Sequence, residues 1–96
     1  MPLLEACQIL YDKKIKTLMS SANKKDLISG KVYIAIDFDS LSPSNQELAR
    51  NFGKIYIMHG SIPRPAVNLE ISVNQNTTIG QIKKAAKQLV FKFEQQ

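Results

Sequence analysis

Ninety-six residues, 44% hydrophobic and 22% charged, describe one globular domain, too short to build two cores and too apolar to remain disordered. One cysteine and one histidine exclude an internal disulfide and leave almost no ligands for a zinc site. The formal charge of +5 favours an anionic partner, a nucleic acid or an acidic protein, over a basic one.

That charge is spread along the chain: six lysines face three acids in residues 1–31, and seven basic residues face five acids in 32–96. No block of like charge reads as a nucleic-acid-binding tail. The first ten residues, MPLLEACQIL, lack the basic segment and long apolar run of a secretion signal, and no stretch approaches the ~20 apolar residues of a membrane span. The expectation is a soluble, intracellular, cytoplasmic protein with no membrane partner.

Leu4, Cys7, Tyr11, Ile15, Leu18 and Ala22 recur at three- and four-residue steps, so residues 3 to about 21 read as an amphipathic helix. Cys7 falls in its apolar stripe as a small core residue. Ser20–Lys25 is a polar break, and Asp26–Gly30 a turn whose glycine takes a positive φ ahead of a strand. In Lys31–Asp39, KVYIAIDFD, alternation points Val32, Ile34, Ile36 and Phe38 to the core, and Tyr33, Ala35, Asp37 and Asp39 to the opposite face.

A short helix follows, with Ser44 and Glu47 at capping-box spacing, Pro43 blocking its backward extension, Leu48 and Phe52 on its buried side and Gly53 as its stop. Lys54–Gly60 alternates as a second strand, Ile55 and Ile57 inward, Tyr56 and Met58 outward. Ser61-Ile62-Pro63-Arg64-Pro65 reads as a stiff connection carrying one exposed arginine. Residues 66–74 form a third strand with Val67, Leu69, Ile71 and Val73 inward. The last helix starts at Thr77 or Thr78, with Thr78 and Gln81 at capping-box spacing, and runs through Ile79, Ile82, Ala86 and Leu89. Val90–Phe93 fits either its last turn or a short fourth strand.

With this order in place, residues 32 to about 90 resemble the RNA recognition motif. Val32-Tyr33-Ile34 is similar to the start of that family's first-strand motif, and Glu47-Leu48 through Phe52-Gly53-Lys54-Ile55 to its first helix and the beginning of its second strand. Val67–Val73 and Ile79–Leu89 fall where its third strand and second helix stand. The resemblance implies an α+β, ferredoxin-like split βαβ fold with a three- or four-stranded antiparallel sheet, here a single domain of residues 1–96. Its N-terminal helix and connection (1–30) precede a βαββα core (31–96). It also implies that the outward sheet face stacks bases, with Tyr33 in that role. The chain departs from the pattern on the third strand, where Asn68 and Glu70 stand at the outward positions that carry aromatics in that family.

The expected function is non-enzymatic binding of single-stranded RNA, with Tyr33 and Tyr56 as stacking surfaces and Lys31, Lys54 and Arg64 as phosphate contacts. The alternative is a protein-interaction or regulatory subunit meeting an acidic protein, its sheet covered by the N-terminal helix or by a partner. That helix is also a candidate homodimer contact. Asp37 and Asp39 superficially resemble a magnesium-binding D-x-D strand end, but read as solvated acids before a turn; no catalytic residue, metal or cofactor is expected. His59 reads as incidental.

Overall fold

The computed structural model describes residues 3–21, 28 and 30–96. Of the expected connection between the first helix and the central strand, residues 22–27 and 29 lie outside the described residues. The elements are α1 (Leu4–Asp12), β1 (Thr17–Ser21), β2 (Lys31–Asp37), a 3-10 turn (Phe38–Ser40), α2 (Pro43–Arg50), β3 (Tyr56–Met58), β4 (Arg64–Ser72) and α3 (Ile79–Phe91).

The first helix is half the expected length because it closes on a Schellman motif. Lys14 takes φ 67, Ile15 N–H donates to the Leu10 carbonyl at 2.9 Å, and Lys14 N–H donates to Tyr11 at 2.9 Å. Leu10 and Ile15, both buried, make the hydrophobic contact that accompanies this cap. A lysine in the left-handed region costs about 1 kcal/mol, which the buried Leu10–Ile15 pair offsets. Beyond it, β-branched Ile15 and Thr17 and the serines at 20 and 21 favour extension over helix, and the chain becomes an edge strand.

The sheet has the order β1-β2-β4-β3 with every neighbour antiparallel. β2, α2 and β3 form a βαβ unit split by β4, as expected for a ferredoxin-like α+β fold. The fourth strand is the correction. It is β1, from before the central strand, and Val90–Phe93 instead completes and follows α3. Phe93 is buried just past the helix end, its ring 5.8 Å from that of Phe52.

All three described helices contribute to one core on one side of the sheet. Leu3, Ala6 and Leu10 of the α1 region join Val32, Ile34 and Ile36 of β2, Val67, Leu69 and Ile71 of β4, and Ile82, Ala86 and Val90 of α3. The buried face of α1, set against α3, is therefore Leu3, Ala6 and Leu10, one position off the expected stripe, whose Leu4 and Tyr11 are 63% and 73% exposed; Glu5 meets Lys87 across that contact at 2.6 Å. Gly30 has φ 89, the positive value its turn needs before β2.

Local signals are confirmed at α3, where Thr78 and Gln81 form the complete capping box, and altered at α2. There the cap is Ser42 rather than Ser44, its hydroxyl accepting from Asn45 N–H, with Pro43 in the first turn. Fully buried Asn45 ties that turn to the last residues: its side chain accepts from Glu94 N–H at 2.8 Å and donates to Glu94 O and Gln96 Oε1 at 2.9 Å each. Lys13 closes the same region, its ammonium reaching the carbonyls of Val90, Phe91 and Phe93 at the end of α3.

β3 is shorter than expected, and Ile57, on the core side, is half exposed because it lies at the outer edge. β4 begins two residues earlier than expected, so Arg64 and Pro65 belong to the strand, opposite Met58 and Ile57.

Candidate functional site

Cross-strand partners point to the same face of a sheet, so the register defines the face opposite the core. Asp37 pairs with Ala66, which pairs with Tyr56; Ala35 pairs with Asn68 and with Met19; Tyr33 pairs with Glu70 and with Ser21. Met58 and Arg64, opposite each other, lie one step beyond on the same side. Among the described residues no helix lies over this face, since all three pack on the other.

Successive rows are two residues apart, about 7 Å. Tyr56 stands near one end of the face on its outer strand, and Tyr33 lies farther along on a central strand. Both are half-buried. Tyr56 Oη donates to Asn68 Oδ1 at 2.7 Å, and Tyr33 Oη lies 3.5 Å from Met19 Sδ. The small Ala35, in the row between the tyrosines, points to this face yet is fully buried.

Burial pushes the Tyr56 hydroxyl above its ordinary value of 10.0, and the nearby Tyr33 adds to the shift by charge repulsion between phenolates. A raised value means the folded state favours the protonated ring. The resulting stability is present below pH 10 and is lost as pH rises through the folded-state value. Alkaline titration of the phenolate absorbance is therefore expected to contain a step above pH 10 that Tyr56→Phe removes. Loss of a step at or below that pH would place the ring in open water.

The two carboxylates of the face are each matched by a cation. Asp37 is completely inaccessible; its Oδ2 accepts from Arg64 Nη2 at 2.6 Å and Nε at 3.2 Å, while its Oδ1 accepts from Asp39 N–H. This overturns the expectation of a solvated Asp37, because β4 delivers Arg64 directly above the end of β2; Asp39, in contrast, is exposed. Nor is Arg64 the free arginine of a stiff loop. Lys31 meets Glu70 at 3.7 Å at the opposite end of the face, with both side chains largely in water. Lys54 is exposed in the connection between α2 and β3, outside the sheet.

Four of the five expected site residues, Tyr33, Tyr56, Lys31 and Arg64, therefore share the sheet, and Lys54 flanks it. Sequence reasoning missed Met19 and Asn68 as contacts of the tyrosines and Lys16 as a residue beside the sheet. Met19 and Lys16 were hidden by the assignment of β1 to a helix; Asn68 was visible as an outward residue, but its bond to Tyr56 depends on the β3–β4 pairing. Among the described residues no group of three or more His, Cys, Asp and Glu gathers as a metal site, and no helix is long and apolar enough to cross a membrane. Cys7 is half-buried beside the core, and burial raises its thiol above the ordinary value.

The fold and this face define a ferredoxin-like split βαβ domain with one sheet face that no helix covers among the described residues. Comparison of the chain with family models, curated proteins and solved structures finds no match.

Proposed function

We propose that the protein is a soluble, cytoplasmic, non-enzymatic module that binds single-stranded RNA across the open sheet face, as an RNA-recognition-motif-like domain does. Tyr33 and Tyr56 stack bases, Lys31 and Lys54 meet phosphates at the borders, and Arg64 meets one at the end of the face. The carrying observation is that both tyrosines lie on the one face that has no helix over it among the described residues. The acids that would repel phosphates there, Asp37 and Glu70, are each held by a cation. Asn68 and Met19 meet the hydroxyl ends of Tyr56 and Tyr33.

Titrating a labelled single-stranded RNA pool and following fluorescence anisotropy across a salt series tests this reading. Three cations at phosphates predict that log K falls against log salt with a slope of about −2. Absence of binding at low salt, where a basic protein binds RNA best, would overturn it.

A second reading draws on the β3 edge. Ile55, Ile57 and Ile62 expose 39%, 51% and 73% of their surface along and beside a three-residue outer strand. An extended segment of an acidic partner protein could add to that edge by strand pairing.

A further inference from the structure

β1 and β3 are the outer strands, three strand spacings or about 14 Å apart, yet residues from both line one cavity of about 340 Å³. Lys16 and Leu18 form one wall, and Met58, His59 and Ile62 the other, with Arg64 between them. The β3–β4 turn and the start of β1 therefore border one concavity, open to solvent, at the end of the sheet where β2 finishes.

Three of the six groups named are basic, and none is acidic; the acid beneath them, Asp37, is buried and already engaged by Arg64. Asp37 accepts through one oxygen from Nε and Nη2, which fixes the guanidinium plane and leaves its remaining N–H groups to point elsewhere. A buried ion pair is weak evidence for stability and stronger evidence for a need to hold a charge in one place. Leu18, Met58 and Ile62 give the cavity an apolar wall, and its volume lies at the lower end of the range for small-molecule sites, suited to one nucleotide.

We propose that this end of the face takes the terminal phosphate monoester of a nucleotide, with Arg64 as the oriented anchor, Lys16 and His59 flanking it and the apolar wall against the base. It rests on the single-stranded RNA reading for the path of the remaining chain. An internal phosphodiester presents two non-bridging oxygens and one negative charge, against three oxygens and a second charge near neutral pH for the monoester, so a site lined by three basic groups and no acid favours the strand end.

Two measurements on the full chain test it. In the first, nitrogen-15 and imidazole resonances of Arg64 and His59 are followed while a nucleoside monophosphate, its parent nucleoside and inorganic phosphate are titrated. Saturable shifts with the monophosphate, absent with the nucleoside and reduced in Lys16→Met, support the site; no shift with either phosphate overturns it. The second compares oligonucleotides that differ only in a terminal phosphate. A preference of about tenfold or more for the phosphorylated strand at one of its ends, diminished by Lys16→Met and by His59→Gln, is the expected result. Equal binding of phosphorylated and unphosphorylated strands would overturn the pocket while sparing the open-face reading. Monophosphate binding with no oligonucleotide binding would keep the pocket and overturn the open face. Lys16 and His59 are exposed, so both variants are expected to fold.

Discussion

Arg64→Ala is expected to destabilise the fold by about 3 kcal/mol, the low end of the cost of breaking a buried ion pair, because the guanidinium is partly open to water. The asymmetry of the pair sets the magnitude. Asp37 has no accessible surface, and Arg64 supplies two of the three hydrogen bonds to its carboxylate. Removing the arginine leaves a charged group inside protein with one backbone amide as its remaining partner. For a domain of this size the loss corresponds to a fall in melting temperature of about 12 °C or more. Thermal denaturation of the single variant measures it, and a fall within 2–3 °C of zero would mean that water reaches Asp37 without hindrance. The double variant Asp37→Leu/Arg64→Met separates stability from orientation. Replacing a buried ion pair with packed apolar residues is commonly neutral or stabilising, so the double variant is expected to melt within about 1 kcal/mol of the wild type. Recovery of stability would identify the pair as a device for aiming Arg64 rather than for holding the sheet together. A double variant as unstable as the single one would make it structural.

The same pair marks the limit of what the sequence discloses. Alternation along Lys31–Asp39 correctly separated Val32, Ile34 and Ile36 from Tyr33 and Asp37, because a strand's period is local. Whether the outer position of Asp37 is wet depends on what stands across from it. Its partner lies 27 residues later and behind Pro63, which reads locally as the end of a connection. The central split βαβ unit was legible for the opposite reason: Thr78 and Gln81 cap one helix, Pro43 marks the first turn of another, which stops at Arg50, three residues short of the expected Gly53, and two alternating runs flank them. β1 was not legible by helical period, since Ile15 and Leu18 satisfy both a three-four spacing and an extended segment. The break falls at Lys14, a residue with no preference for the left-handed region, so no glycine, proline or asparagine announces it. The usable signal was compositional: Ile15, Thr17, Ser20 and Ser21 together are poor helix formers. Once β1 is a strand, the sheet acquires its fourth member from the N-terminal side, and Val90–Phe93 is released to finish α3 and plug the core.

That rearrangement gives the two tyrosines their meaning. With the N-terminal segment contributing an edge strand and α1 resting on α3, the face of Tyr33 and Tyr56 has no helix from the described chain over it. The Tyr33→Ala/Tyr56→Ala variant is accordingly expected to lose RNA affinity without losing the fold. Base stacking on an aromatic ring contributes about 1 to 3 kcal/mol per base, so removal of both rings predicts a loss of about thirtyfold at minimum. Stability should change far less than affinity, because neither ring belongs to the buried core cluster. The salt slope discriminates further: stacking releases no counterions, so the variant's weaker binding should retain the wild-type slope of about −2. Anisotropy across a salt series, paired with urea denaturation, reads both quantities. A variant that unfolds would show the tyrosines to be a second core. One that binds RNA as tightly as the wild type would leave the lysines and Arg64 to account for the whole affinity and would remove the sheet face from the binding site.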